Sequence, residues 1–586
     1  MGEQRMADQD TGGGDASLTH RIRRRAADGG ADRWCTFGDG TPEGEQRLSH
    51  TELDARAAAR AAWLQGLGAE GSRALLMYPA GLEFLAAFLG CLYSRTVAVP
   101  APLPLTDPRA LERAARIVAD AGITLLLTDA GHLDLLTGWL RESGLDDRVT
   151  CLATDAAELP APEAWTAPRL DRDTLAYVQY TSGSTSAPKG IAITHGNLLH
   201  NLESIRRFLG SPRTATIAGW LPHHHDMGLV GMLLEPLYAG FDLAFTAPAT
   251  FVLRPAKWLR AISRHRADVI VAPDFGYDWC LRRIRDADLD GLDLSCVRVA
   301  LNGAEPVRPA TLAAFAERLA PCGFDPKAWA PVYGMAEATL LISGPPAGSG
   351  AHTAHFDAGE LERHRAVPAA PGTGRELVSC GPPLRTDLRI VDPATRTPLP
   401  DGHVGEIWAA GGSVASSFRP PAEGDEDPFQ GHTATGAGPY LRTGDLGFLR
   451  DGELYVTGRL KDVLIVNGRN LYPQDIEAAA QRLHPAAGTA AAFSVDIHRE
   501  HVVVVQEARG SLDGAEHTRR LLAALAGDFG IRGANVVLVP RGGVERTTSG
   551  KIRRRRMREL FLAGRLTPLH ADLEPELHDL MAALAL

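Results

Sequence analysis

Through the first two-thirds of the chain, short unbroken apolar runs alternate with helix-length stretches. SRALLMY from Ser72, ITLLLTD from Ile123, VTCLATD from Val149 and TLAYVQY from Thr174 come first. ATIAGWL from Ala215, DLAFTAP from Asp242, DVIVAPD from Asp268 and VRVALNG from Val297 follow. Runs without polar alternation are strands covered on both faces, and strands separated by helices form parallel sheets. The intervening stretches include an apolar helix around Phe84 to Tyr93 and a helical pattern from Arg109 to Ala121. From about Arg385 the rhythm changes. TDLRIVD, GEIWAA and GELYVTG are closely spaced and joined at Asp401-Gly402 and Asp451-Gly452, the dipeptides of tight hairpins. Beyond Gly458 a smaller α+β segment is expected, with strands HVVVVQE from His501 and ANVVLVP from Ala534 around a helix near Thr518 to Phe529.

Composition narrows the function. Of 586 residues, 45% are apolar and 23% charged, and the net charge is −10. That is a packed globular chain whose charge argues against holding nucleic acid or an anionic membrane surface. Seven cysteines are scattered without a CxxC pair, the usage of a reducing compartment. The start MGEQRMADQDTGGGD has no apolar secretory core, and Phe84 to Ser94 falls well short of the ~20 residues of a membrane helix. A cytoplasmic location without membrane insertion is expected. Five of the 61 basic residues are lysine: Lys189, Lys257, Lys327, Lys461 and Lys551. A compact, movable ammonium is something arginine does not replace, so these positions draw attention.

The strongest local signal is TSGSTSAPKG, Thr181 to Gly190, directly after the strand LAYVQY. Such a loop aims backbone N–H groups and hydroxyls at one anion while Lys189 adds a point charge. It does not fit GxxxxGK[ST]. The loop resembles the phosphate-binding loop of the adenylate-forming superfamily, which includes acyl-CoA synthetases, luciferases and adenylation domains. NGAEPV from Asn302, VYGMAEATL from Val332, YLRTGDLGFL from Tyr440, GRLKDVLIVNGRNLYPQDIE from Gly458 and TTSGKIRR from Thr547 agree in order and spacing.

The resemblance implies an α/β fold. A large N-terminal domain (18–458) would hold two helix-covered sheets plus a small antiparallel β-barrel-like subdomain, after a disordered tail (1–17). A small mobile α+β lid (459–586) would hinge at Lys461. It also implies ATP and Mg²⁺. Thr181, Ser182, Gly183, Ser184, Thr185 and Lys189 would take the phosphates, with Glu337 and Thr185 on the metal. Tyr333, with Gly334 and Met335, would face adenine, and Asn302, Gly303, Ala304 and Glu305 would line its edge. Asp445 would accept the ribose hydroxyls and Arg459 would reach ribose or phosphate. Lys551, Glu337 and His225 would be catalytic, Lys551 bridging the substrate carboxylate and the α-phosphate once the lid closes.

Several segments resemble one branch, the fatty acyl-AMP ligases. GWLPHHHDMGLVG from Gly219 matches their LPxxHDMGL at His225, Asp226 and Gly228, while His223 and His224 depart from the bulkier apolar residues expected there. RNLYPQDIE, Arg469 to Glu477, matches a second signature. The polar, loop-like stretch from about 349 to 378 sits where that branch carries an insertion that restrains the lid. The resemblance implies activation of a fatty acid to acyl-AMP, then transfer to the phosphopantetheine thiol of an acyl carrier protein. The rivals are a fatty acyl-CoA synthetase and an inactive adenylate-binding regulatory protein. The basic run KIRRRRMR, Lys551 to Arg558, reads either as a solvated helix face or as a dock for an acidic carrier, with Arg554 and Arg555 as contacts.

Overall fold

The structure, a computed structural model, describes residues 15–103, 108–181, 189–210, 214–420, 424, 426–466, 469–497, 499–510, 512–547 and 550–578. Every strand anticipated from the apolar runs of the first two-thirds is present, and they assemble into two seven-stranded sheets. The first runs Trp329–Pro331, Val299–Asn302, Val269–Ala272, Thr216–Gly219, Asp242–Phe245, Trp34–Phe37, Gln46–Ser49. It is parallel except for its last pair. The second runs Ser416–Ser417, Lys189–Thr194, Leu175–Thr181, Val97–Pro100, Arg73–Leu76, Leu125–Thr128, Thr150–Ala153. Its first two pairs are antiparallel, the rest parallel. Helix Leu82–Ser94 is buried along nearly its whole length, because it is apolar on every face and has a sheet or helix on each side.

Ser17, expected in the tail, belongs to the first helix as its cap, and the rest of the tail up to residue 14 lies outside the described residues. Ser17 is fully buried, and its hydroxyl accepts the His20 N–H to cap helix Leu18–Ala27. The expected barrel-like unit is a four-stranded antiparallel sheet, Asp387–Val391, Gly405–Ala410, Leu441–Arg450, Glu453–Arg459, whose first and last strands do not pair with each other. The stretch 349–378 is more than a polar loop. It forms the hairpin Thr353–Phe356/Arg375–Val378 and the helix Ala358–Glu362. Phe356, Leu361 and Leu377, isolated among polar residues in the sequence, pack with Phe448 and Tyr455 of that sheet and Tyr472 of the C-terminal lobe.

The C-terminal lobe is built on a mixed sheet, Ala487–Ile497, Arg499–Ala508, Asn535–Pro540, His570–Asp572. The run of four valines is explained by the strand's two-residue period. Val502 and Val504 face helices Pro473–Arg482 and Gly514–Asp528, while Val503 and Val505 face helix Arg554–Leu562. Among the described residues, no helix is long and apolar enough to cross a membrane.

Candidate active site

Strand Leu175–Thr181 delivers the loop. Thr181 pairs with Lys189 across the neighbouring antiparallel strand, so the loop's two ends are held side by side. Ser182, Gly183, Ser184 and Thr185 lie outside the described residues. Arg113, from helix Pro108–Ala121, donates from Nη2 to the Thr181 carbonyl at 2.9 Å.

Strand Val299–Asn302 delivers the adenine-edge segment. Gly303 approaches Val332 so closely that a Cβ would stand 2.8 Å from its side chain, and Ala304 turns through φ 68°. Asn302 is fully buried and gives its amide N–H to Asp274 at 3.2 Å, whereas its carbonyl oxygen has no partner among the described residues. Glu305 departs from the expected edge-lining role in one respect, because its carboxyl accepts the Phe275 N–H at 2.6 Å. Burial pushes that carboxyl up to about 7, against the Phe275 N–H, which pulls it down.

The Tyr333 ring is buried, and its hydroxyl donates to Asp445 at 2.9 Å. The other Asp445 oxygen faces Arg459 Nε at 3.2 Å, a consequence of their pairing across strands Leu441–Arg450 and Glu453–Arg459. Gly334 has no room for a side chain, since a Cβ would lie 1.9 Å from the Leu340 carbonyl. That carbonyl accepts the Met335 N–H at 2.8 Å. Glu337 sits on the turn Ala336–Ala338, which Thr339 closes with φ 65° and ψ −57°. Leu340 N–H bonds Ala338 O at 2.7 Å, a γ-turn of the strained hand, held because Thr339 Oγ1 donates to Ser413 O at 2.7 Å. Burial raises the Glu337 carboxyl above the usual range, and nearby Asp226 raises it further. Asp226 is raised by burial too, and caps the π-helix Met227–Leu234 through the Met227 N–H at 2.8 Å. Two desolvated carboxylates that oppose each other's charge are a donor set for a hard cation such as Mg²⁺.

The C-terminal lobe supplies the opposing charge. Burial lowers the Lys551 ammonium, as does Arg459, while Asp226, Asp445 and Glu305 pull it back up. These are residues of the large lobe, so its charges reach Lys551 across the lobe boundary. Gly550, at φ 87°, rests on the Phe275 ring, where a Cβ would come within 2.9 Å. His225 lies on the same side and is pushed down to about 4 by burial, Lys551 and Arg113, so it is a neutral ring at pH 7. His223 stacks on Phe84 with ring centres 4.0 Å apart and is buried.

The hinge position follows from anchoring. Leu460 N–H bonds Gly444 O of the large lobe at 2.9 Å. Asp462 accepts Arg554 Nη1 at 2.8 Å, and Arg554 places Nε and Nη2 on Glu477 at 2.6 and 2.7 Å, all within the lid. Exposed Lys461 is left between the two anchors. This takes Arg554 out of both readings of the basic run, solvated face and carrier dock alike, while Arg555 remains exposed and faces Glu559 of its own helix at 3.5 Å. The Arg554 head is engaged with two acids of its own lobe, because a half-buried guanidinium needs a planar acid partner. The insertion also grips the lid. Arg469 forks onto both oxygens of Glu362 at 2.6 and 2.8 Å, Asn470 donates to Glu362 O at 2.9 Å, and Arg375 faces Asp475 at 3.2 Å.

Arg113, Phe275 and the Asp462–Arg554–Glu477 clamp carry roles that motif reading leaves out. In sequence, Arg113 is one more basic residue of an amphipathic helix. Arg554 carries a signal only as the residue three after Lys551.

Comparison with known proteins places the chain as a whole. A family model described as AMP-binding enzyme matches residues 22–418. The medium-chain fatty acid–acyl-carrier-protein ligase JamA of Moorena producens is 41% identical, over 89% of this chain and 90% of its own length. A Mycobacterium tuberculosis protein provisionally named a fatty-acid–CoA ligase, fadD25, is 36% identical over 95% and 99%. The crystal structure of a fatty acyl-adenylate ligase from L. pneumophila in complex with acyl adenylate and pyrophosphate superposes with TM-score 0.74 at 36% identity. It covers 95% of this chain and 98% of that one.

Proposed function

Because the chain belongs to the AMP-binding enzyme family, we propose that it activates a fatty acid with ATP and hands the acyl group to a carrier protein. A carboxylate oxygen attacks the α-phosphorus, the α–β phosphoanhydride breaks, and pyrophosphate leaves with the displaced electron pair. The acyl-adenylate then meets the phosphopantetheine thiol of an acyl carrier protein, sulfur replaces AMP at the acyl carbon, and the thiol proton passes to solvent. No protein nucleophile is needed.

The observation that carries this reading is Gly550, beside Lys551, resting on the Phe275 ring of the large lobe, whose N–H is bound by Glu305, so that large-lobe carboxylates act on the Lys551 ammonium. Bringing a carboxylate to a triphosphate joins two anions, and a desolvated ammonium between them offsets that repulsion where charge develops. Tyr333 and Asp445, locked to each other, would hold adenine and ribose, with Arg459 alongside. Mg²⁺ would sit on Glu337, with Thr185 as a further ligand, neutralising phosphate oxygens when bound. Neutral His225 would orient the substrate carboxylate by hydrogen bonding. Closure of the lid keeps water from the mixed anhydride.

The carrier thiol is favoured over free coenzyme A by the insertion's grip on the lid, since Glu362, Arg375 and Arg469 hold it against rotation away from the adenylation arrangement. The test supplies fatty acid, ATP and either coenzyme A or holo carrier protein. Acyl carrier as the dominant product supports the reading, and efficient acyl-CoA formation overturns the carrier preference. Absence of ATP–pyrophosphate exchange with any fatty acid overturns the activity itself.

A further inference from the structure

We propose that Arg113 binds the diphosphate end of the nucleotide, gripping pyrophosphate as it leaves and as it returns in the reverse reaction. This rests on the adenylate-forming reading above and extends it to a residue that no motif marks.

Helix Pro108–Ala121 carries Arg113 to the point where the strand Leu175–Thr181 runs into its loop. There the guanidinium uses one N–H on the Thr181 carbonyl, at 2.9 Å. A guanidinium has five N–H donors and remains charged in any protein environment. The neighbouring Arg116 on the same helix has Glu112 as its partner. Arg113 has no carboxylate within ion-pair distance among the described residues. A cationic side chain acts on it instead. Arg553, two residues past Lys551 and itself turned to Glu545, acts on Arg113 from the lid. Arg113 and Lys551 both act on His225.

A half-buried cation beside another cation, with no acid to balance it, is a receptor for an anion. The reaction offers two anionic ends. Lys551 answers the α-phosphate and the incoming carboxylate, and Arg113, at the strand end that feeds the phosphate loop, is placed to join Lys189 on the β- and γ-phosphates. The planar fork of arginine suits two phosphate oxygens at once, which a point charge does not. Holding Thr181 O with one N–H fixes the direction in which the remaining donors point.

The test is ATP–pyrophosphate exchange with a fatty acid, in which wild-type exchange establishes the underlying reading independently. Arg113→Gln is expected to raise the KM for pyrophosphate about tenfold to a hundredfold, the size of a lost charge-assisted contact, while the KM for fatty acid stays put. Arg113→Lys is expected to fall between, because it keeps charge and loses the fork. The proposal is overturned if wild type exchanges and Arg113→Gln has an unchanged pyrophosphate KM, or if both KM values and the melting temperature shift together as in a packing defect. Should Arg113→Gln fail to fold, Arg113→Lys decides: a raised KM for pyrophosphate alone supports the role, and a wild-type value sinks it.

Discussion

The two sides of the site are held in place by different means. On the large lobe, Tyr333, Glu337 and Asp445 are set by backbone geometry: a γ-turn at Thr339, a glycine with no room at Gly334, and a strand pair that fixes Asp445 against Arg459. On the lid, Lys551 is held by a loop and by side chains. Thr547 Oγ1 accepts the Lys551 N–H at 3.1 Å, Gly550 rests on Phe275, and Arg554 ties the following turn to Asp462 and Glu477. A covalent framework resists single substitutions, whereas a lid docked through contacts has its catalytic geometry set by each of them. Damage to the large lobe should therefore cost binding, and damage to the lid should cost rate.

The largest effect is expected from Lys551→Ala. Removing the one ammonium that the lid brings into the carboxylate cluster should cut pyrophosphate exchange by about a thousandfold or more, with nucleotide binding retained. Near-normal exchange would break the asymmetry outright. Arg554→Ala should come next, lowering kcat for adenylation about tenfold to a hundredfold through a displaced Lys551, with substrate KM values little changed. Asp462→Asn should reproduce part of the loss without adding to it in the double variant, because both changes open the same clamp. Additive losses would mean that the clamp does not act as a unit.

A smaller effect concerns Glu305. Its carboxyl is raised in the folded protein from an ordinary 4.5 to about 7, so the folded state favours the protonated form. That contribution to stability is complete below about 4.5 and is lost as pH rises through about 7. Glu305→Gln keeps an acceptor for the Phe275 N–H and removes the titration. Melting temperatures across this window should fall with pH less steeply in the variant, and parallel curves would remove the assignment. The smallest effect is expected at the insertion. Arg469 is partly exposed, so Glu362→Ala should raise use of coenzyme A relative to carrier only about two- to fivefold, the value of an exposed ion pair. No change in that ratio would detach the insertion from thiol choice.

Reading the chain by its periodicity recovers most of the scaffold, whereas the candidate site rests on the resemblance of its motifs. Eight of the strands from Arg73–Leu76 to Val299–Asn302 are legible because covered strands are continuously apolar, while Val97–Pro100 and Lys189–Thr194 in the same span escape that reading. The hairpin Trp34–Phe37/Gln46–Ser49 is not, since an edge pair with charged outward positions resembles a loop. The insertion looks polar because Phe356 and Leu361 are single apolar residues whose cluster partners lie some ninety or more positions away at Phe448 and Tyr455. Tyr333, Glu337, Asp445 and Lys551 are picked out in sequence by the resemblance of their motifs to the adenylate-forming superfamily, since each alone looks like an ordinary surface or core residue. Arg554 looks like a surface cation in an arginine-rich run, and only its placement against Glu477 and Asp462 removes it from solvent.

What the chain's order of residues determined was local: which faces are buried, where a loop of hydroxyls and glycines follows a strand, and which lysine could act as a movable charge. What tertiary structure alone decided was pairing across distance. Glu305 spent on a backbone N–H and Arg554 locked to two acids are settled inside each lobe by residues far apart in sequence, as is Arg113 with no carboxylate in ion-pair reach among the described residues, whereas the large-lobe carboxylates that act on Lys551 depend on how the two lobes meet. Burial periodicity repeats within a few residues and is written along the chain. The field at a charged group sums over neighbours hundreds of residues apart, and becomes defined only when the fold brings them together.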